Sequence, residues 1–410
     1  MESTVLLKKT RKTVLLLLFL GWAIGNLDRY LINYAVVDIA NDLTLTATQT
    51  GVVLSSFFLG YAIMQMPGGL LADKYGAKKI LLTAVIIWSI FTGLTAVAWS
   101  FSALIVIRFL FGIGEGGFQP VASKIIATIF PKNERSRAMS LLLASAAIMA
   151  MLVPLISAVL LGLIGWRLLF VITGLIGAVI AFLYWRYIQV PDTTVEAARG
   201  LSVTGENKGI LKKLITMPFM WSLLVSYFTI YAVNWGLSSW MPSYLTNERG
   251  LDLLSIGYLQ LIPGVLMLSG MLIFGIVIDK LTLQQNKVIG AVFAVGIAGF
   301  LFLMFHSNSI GMFIFYQCIV TILMTYITLL LPSFVLKTIP QDITATAMGM
   351  ANTGGQLAGF ITPAAMGFMV DFFNGSYNAA FWLLIIFAMI CIFALLSIKS
   401  NLKEERVSNV

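Results

Sequence analysis

Twelve apolar stretches, each long enough to cross a bilayer as a helix, take up most of this 410-residue chain. They lie near residues 14–38, 50–72, 79–99, 103–129, 138–163, 167–188, 217–245, 253–278, 287–306, 310–336, 343–371 and 378–398. Inside hydrocarbon a backbone has no water to bond, so each segment must satisfy its own N–H and C=O groups. Runs of this length do so as helices, and strands are not expected. Only 10% of the residues are charged, against about 25% in globular domains. The expected fold class is an all-α membrane protein of twelve transmembrane helices. The first stretch lacks a small-residue cleavage site and reads as a retained span.

The basic residues are distributed with a strong bias. Of 26 lysines and arginines, 21 fall in the termini and in the loops that share their side. The opposite side has Arg167 and Arg249, while Arg29, Arg108 and Lys124 lie within spans. By the positive-inside rule both termini face the cytoplasm. The net charge of +9 is thus a topology signal and gives no case for a nucleic-acid partner. Cys318 and Cys391 both sit in apolar runs, with no disulfide framework or metal-ligand cluster in view. No Walker loop or nucleophile–base pair stands out, so no enzyme chemistry and no cofactor are expected. Lys124, near the inner end of its span, reads as a snorkelling side chain.

The longest polar segment, 189–216, contains Pro191, Gly200, Gly205 and Gly209 and reads as a cytoplasmic linker. It divides the chain into a six-helix bundle over 1–188 and a second over 217–398, followed by a tail at 399–410. A repeat supports the division. Gly69-Leu70-Leu71-Ala72-Asp73-Lys74-Tyr75-Gly76-Ala77-Lys78-Lys79 follows the second span, and Gly275-Ile276-Val277-Ile278-Asp279-Lys280 follows the eighth. Gly69 and Gly275 are 206 positions apart, as are Asp73 and Asp279. Repeated bundles related by pseudo-two-fold symmetry place a binding site near the midplane, at the repeat interface. Locally, Gly69 should let helices approach and Asp73 should meet a basic group or a helix N-terminus.

Asp28 and Arg29 stand in the middle of the first span, about 21 Å along a helix that begins near Val14. An ionised side chain at that depth costs several kcal/mol unless it is paired or faces a cavity. Arg108 and Glu115 are seven positions apart in the fourth span, so they stack on one helix face about 10 Å apart. Two carboxylates and two guanidinium groups can then share one cavity in the first half, and their formal charges cancel. Protonating both acids leaves the cluster at +2, which favours an incoming anion. Losing the protons on the other side restores neutrality and releases it. Charge counting therefore points to proton-coupled anion symport, with Asp28, Glu115 and Arg108 in the coupling. Asn234 is 206 positions after Asp28, so the second half offers an amide where the first has an acid. Asn352, Thr353 and Gln356 lie within about a turn of what reads as a glycine-broken helix, suited to sugar hydroxyls. Pro154, Pro263, Pro332 and Pro363 are candidate bending points.

The loop Gly69 to Lys79 resembles the G-x-x-x-D-(R/K)-x-G-x-(R/K)-(R/K) signature of the major facilitator superfamily, with its degenerate copy at Gly275 and Asp279. Within that superfamily the chain looks like the anion:cation symporter family. The likeness rests on Asn26-Leu27-Asp28-Arg29, Gly112-Ile113-Gly114-Glu115-Gly116, Phe130-Pro131-Lys132-Asn133-Glu134-Arg135 and Gly165-Trp166-Arg167, and more weakly on Asn234-Trp235 and Asn352-Thr353-Gly354-Gly355.

The resemblance implies a secondary transporter, monomeric, in the plasma (inner) membrane, importing a sugar acid such as a hexuronate or aldonate with protons. It implies that Asp28 and Glu115 carry protons, that Arg29 binds the substrate carboxylate with its planar fork, and that Tyr61 reaches the substrate. It implies a gating role for the loop of Gly69, Asp73, Lys74, Gly76, Lys78 and Lys79 and for Gly275 and Asp279. Two departures narrow the expectation. No Arg or Lys lies in the seventh span, which points to a monoanion. The fifth span lacks the Gly-Pro-x-x-Gly-Gly stretch of drug/proton antiporters. An exporter or exchanger of organic anions is the alternative within the fold, and a transporter-like anion sensor the remote one.

Overall fold

A computed structural model describes residues 2–190, 214–340 and 343–398. Among these, every regular element is a helix: α1 (Glu2–Asp42), α2 (Ala47–Tyr75), α3 (Ala77–Thr95), α4 (Phe101–Gly116), α5 (Phe118–Ile129), α6 (Lys132–Tyr187), α7 (Pro218–Asn247), α8 (Leu253–Lys280), α9 (Leu283–His306), α10 (Ile310–Thr338), α11 (Thr344–Phe372) and α12 (Asn378–Ser397). The expected linker, but for its ends, and the expected tail lie outside the described residues.

The twelve expected spans map onto these helices with two local surprises. The fourth is built from α4 and α5, which meet at Gly117; that residue keeps helical angles (φ −77°, ψ −18°). The fifth and sixth run together as α6, divided at Gly165, whose φ of 69° lies in the left-handed region that glycine enters without a Cβ clash. Nine described segments are long and apolar enough to cross a membrane, with α4–α5 counted once and the 51 residues from Arg137 to Tyr187 counted once. α7 and α11 fall outside that set although they have 30 and 29 residues. Their shortfall is polarity. α7 carries Ser222, Ser226, Thr229, Asn234 and Ser239, and α11 carries Asn352, Thr353 and Gln356.

Helix ends follow from local chemistry. Thr46 and Thr282 each form a capping box, with Gln49 and Gln285 respectively. Ser100 caps α4 by accepting a bond from the Ala103 N–H. Gly76 turns the chain from α2 into α3 with φ 93°, a conformation that a side chain would strain.

The chain separates into two compact units, Met1–Ser202 with Pro242–Gln260 and Val203–Met241 with Leu261–Val410. In the first, α2 and α4 approach until their backbones touch. A Cβ on Gly60 would lie 2.0 Å from the Phe109 carbonyl oxygen, one on Gly112 2.2 Å from that of Phe57, and one on Gly116 2.4 Å from that of Tyr61. Gly112 and Gly116 are a small-xxx-small pair, the spacing that lets membrane helices pack closely. The crossing presses Phe57 and Tyr61 against the face of α4 that carries Glu115. Tyr184 fastens the second arm of α6 to α1 by donating to the Leu17 carbonyl at 2.9 Å.

In the second unit α11 lies against α7, where a Cβ on Gly354 would come within 2.4 Å of the Leu224 oxygen. Two expectations are corrected here. α11 runs unbroken through Gly354 and Gly355; these glycines make room for α7 and do not interrupt the helix. Gly69 is not a close-approach residue, since its nearest neighbour, Pro120 Cβ, would be 3.7 Å from an added Cβ. Gly68 has that part, facing the Gly117 Cα at 2.8 Å.

Replacing Gly112 by Ala forces a carbon into the Phe57 carbonyl. The expected loss is about 1–3 kcal/mol, typical of overpacking, read as a lower unfolding temperature in detergent. The same change at Gly162, which has open space around it, should leave that temperature unmoved.

Candidate functional site

The four intramembrane charges of the first unit do come together, as two separate ion pairs on two sides of α1. Asp28 and Arg29 are neighbours, so helical geometry turns their side chains about 100° apart. Arg108 donates from Nη2 to Asp28 Oδ1 at 2.9 Å. Arg29 donates from Nη2 to Glu115 Oε1 at 2.7 Å. The seven-residue spacing on α4 thus meets the one-residue spacing on α1, and each acid takes one base. Within the group of four charges expected from the sequence, the hydrogen bonds are thus divided into two pairs.

The two pairs sit in different surroundings. Asp28 and Arg108 are each 1% exposed. Thr92 of α3 donates its hydroxyl to Asp28 Oδ2, and Thr95 lies 3.4 Å from Arg108 Nη2. The Arg108 guanidinium carbon is 4.7 Å from the Phe111 ring and 5.4 Å from that of Phe170. This pair is closed in by α1, α3, α4 and the second arm of α6. Arg29 retains 11% side-chain exposure while Glu115 has none. The Arg29 guanidinium carbon lies 4.5 Å from the Tyr61 ring, 5.0 Å from Phe57 and 5.8 Å from Trp22. Three aromatic rings therefore surround the cation and attract it through their quadrupoles, and its fork is only partly used. Arg29 Nε and Glu115 Oε2 are buried with no hydrogen-bond partner among the described residues.

The second unit holds Asn234, Asn352, Thr353 and Gln356. Asn234, Asn352 and Gln356 are half-buried. Thr353 is exposed and returns its hydroxyl to the Gly349 carbonyl at 3.0 Å. Tyr231 lies flat on Gly355, with ring atoms 3.3 Å from where a Cβ would stand, and stacks on Tyr227 at 5.8 Å. Among the described residues no Lys or Arg lies inside α7, α11 or α12, and those of α8, α9 and α10 lie at helix ends.

The signature loop shows what Asp73 meets. Lys124 Nζ donates to Asp73 Oδ1 at 2.6 Å and to the Ala72 carbonyl at 2.9 Å. Lys124 is thus a clamp on the C-terminal end of α2, correcting the snorkelling reading. The second unit repeats the arrangement: Lys337 reaches the Ile278 carbonyl at 3.0 Å and Asp279 at 3.6 Å. Lys78 donates to the Trp185 carbonyl at 2.8 Å. Lys74 stands over the Tyr75 ring, and Lys79 is exposed. Gly275 has no neighbour within 4 Å of an added Cβ.

Sequence reasoning missed Thr92, Thr95, Trp22 and Phe57. The threonines are uncharged residues of an apolar helix and gave no signal. Trp22 was findable, since it precedes Arg29 by seven positions and so shares its helix face.

A family model described as Major Facilitator Superfamily matches residues 17–363. The chain belongs to the Major Facilitator Superfamily. It is a multi-pass membrane transporter and not an enzyme. It is 29% identical to a protein named hexuronate transporter from Bacillus subtilis strain 168, over 92% of this chain and 91% of that one. It is 31% identical to a probable sulfoacetate transporter, SauU, from Cupriavidus necator, over 91% and 90%. It is 26% identical to a probable galactarate/D-glucarate transporter, GarP, from Escherichia coli strain K12, over 90% of each. Among solved structures, a D-xylose-proton symporter superposes with a TM-score of 0.76 at 14% identity, covering 93% of this chain and 96% of that one. A bacterial homologue of the lysosomal transporter Spinster gives 0.72 at 21% identity, covering 95% and 94%.

Removing one member of the sealed pair leaves a buried charge, which costs about 3–5 kcal/mol. Arg108→Met should therefore lower the yield of folded protein and its unfolding temperature sharply. Asp28→Asn added to it should restore much of both, as read by size-exclusion chromatography and thermal unfolding in detergent.

Proposed function

We propose that this superfamily member imports an organic monoanion, a sugar acid such as a hexuronate or aldonate, by proton symport through alternating access. The observation that carries the reading is the Arg29–Glu115 pair, joined by one hydrogen bond, with a donor of the arginine and an acceptor of the glutamate left over.

Protonation of Glu115 removes the charge that holds Arg29. The guanidinium then meets an incoming carboxylate with two parallel N–H donors, a geometry stronger than the single bond it gives up. Loss of the proton on the cytoplasmic side restores the carboxylate, which takes Arg29 back and expels the anion. Asp28 and Arg108 enter one step removed, as the pair that anchors α1 on α4 while the other pair opens and closes. Asn234, Asn352, Thr353 and Gln356 supply amides and a hydroxyl for the polyol part of the substrate, and Tyr61 borders its carboxylate.

The cations support a single charge on the substrate. Arg108 is sealed with Asp28, the second unit offers no intramembrane Lys or Arg among its described residues, and Arg29 is left to bind one carboxylate. The named substrate of the Bacillus subtilis relative, a hexuronate, has one carboxylate, whereas galactarate and glucarate have two. The bias in basic residues supports both termini facing the cytoplasm. The loop from Gly69 to Lys79 and its copy at Gly275 and Asp279 act in gating, through the clamps made by Lys124 and Lys337.

Proteoliposomes with an inward proton gradient, offered D-glucuronate, D-galacturonate, D-galactonate, D-gluconate and the dianion galactarate, test the reading. Accumulation of one of the monoanions that collapses with a protonophore is expected. Movement only against a preloaded counter-anion would make the protein an exchanger. Glu115→Gln should abolish concentrative uptake and keep exchange of preloaded anion. Arg29→Lys should raise KM about tenfold or more, because the two-donor fork is lost while the charge remains; a wild-type KM in that variant would remove Arg29 from the site.

A further inference from the structure

The Arg29–Glu115 pair has a third neighbour with an unused polar atom. Trp22 precedes Arg29 by two turns on the same face of α1. Its indole is 3% exposed and stacks on Phe118 at 5.2 Å with a 7° tilt, while Phe118 rests on Trp88 at 5.3 Å. The ring is held on its flat side, with its centroid 5.8 Å from the Arg29 guanidinium carbon. Gly25, one turn further along, lies against Glu115; a Cβ there would be 3.6 Å from Cγ and from Oε1. Glu115 therefore reaches α1 between Trp22 and Arg29. Trp22 Nε1, Arg29 Nε and Glu115 Oε2 are all buried without a hydrogen-bond partner among the described residues. A buried donor left unbonded is destabilising, and such groups call for a partner in some state of the site.

The three atoms complement one another once Arg29 changes partner. A substrate carboxylate on Arg29 uses its free fork and leaves the Glu115 carboxyl with nothing to accept from. A donor without a partner among the described residues, held on the same face of α1 beside Arg29, is the indole. We propose that Trp22 is a positioning residue whose indole N–H receives the Glu115 carboxyl while the substrate carboxylate occupies Arg29. The inference rests on the transport reading above and adds a second resting place for its proton carrier. In that place the glutamate is kept clear of the substrate, and its ionised form keeps one charge-assisted bond.

The groups that face Glu115 define the test. They are Arg29 and Tyr30 of α1, with Asp28 beyond them, Tyr61 beside Arg29 on α2, and Arg108 on its own helix. α3 presents Trp88 and has no ionisable residue after Lys79. Trp22→Phe keeps an aromatic ring on Phe118 and beside Arg29 and removes the N–H together with part of the indole's bulk, whose loss would not vary with pH. At alkaline pH an anion that arrives before Glu115 is protonated must displace the ionised carboxylate from Arg29, and there the lost bond is charge-assisted and costs most. The KM of Trp22→Phe for D-glucuronate, or for D-galactonate where that is the anion carried, relative to wild type should be near one at mildly acid pH. It should rise about tenfold toward mildly alkaline pH. In a Glu115→Gln background, with exchange as the readout, the ratio should lose its pH dependence. A ratio constant with pH, or a fall in Vmax alone, is what damaged packing gives and would overturn the role of Trp22. Trp22→Met, a donor-free side chain of similar reach, has the same expected profile if the Phe variant does not assemble. Wild-type protein that carries neither anion overturns the transport reading itself and this inference with it, whereas wild-type transport with a flat ratio overturns Trp22 alone.

Discussion

An ion inside a bilayer survives by having a partner, and that requirement organises the first unit. α1 carries an acid and a base side by side, α4 carries a base and an acid two turns apart, and each finds its opposite. The pairing fixes the rotation of α1 against α4. Close passage of α2 over α4 at Gly60, Gly112 and Gly116 then brings Phe57 and Tyr61 onto Arg29. Burial alone would make either pair of doubtful value to stability, since desolvation opposes the Coulomb attraction. The threonines on one pair and the aromatic rings on the other supply the further contacts that such pairs need.

In the proposed cycle the two pairs divide the labour between holding and switching. Asp28 and Arg108 have three side chains bonded in a closed pocket, an arrangement that is costly to open. Arg108 too has buried Nε and Nη1 atoms without a partner among the described residues; what sets Arg29 apart is its 11% side-chain exposure, which suits exchange of partners. The second unit contrasts with the first in chemistry. It places amides, hydroxyls and stacked tyrosines along α7 and α11, the two long helices whose hydropathy falls short of a simple span. The intramembrane ion pairs lie in the first unit, and the amides and hydroxyls of α7 and α11 in the second.

Much of this was legible in the sequence. The spans, the repeat and the four buried charges can be read from residue type and spacing, because insertion into hydrocarbon punishes every exception. The pairing could not be read in the same way. Spacing gives the angle between Arg108 and Glu115 on their own helix, but the rotation of α1 depends on packing with α2, α3 and α6. Glycines misled for a related reason. Gly354 and Gly355 look like a break in α11, yet their missing side chains serve the neighbouring helix, while Gly165, inside an apolar run, is where the chain leaves helical angles. Lys124 read as a side chain seeking water, because its acceptors, a carbonyl and a carboxylate, belong to another helix.

The lysines have a consequence for descent. Lys124 and Lys337 hold the ends of α2 and α8, and Lys78 and Lys287 hold those of α6 and α12, the latter through the Ile398 carbonyl at 2.7 Å. Each is a cation placed on the negative pole of a helix. Each has a main-chain oxygen among its acceptors, present whatever residue is there, and Lys124 and Lys337 add the carboxylates of Asp73 and Asp279. The held helix is therefore free to change its side chains generation after generation without losing its fastening. Drift in the sequence of a held helix end thus leaves the carbonyl half of each clamp in place.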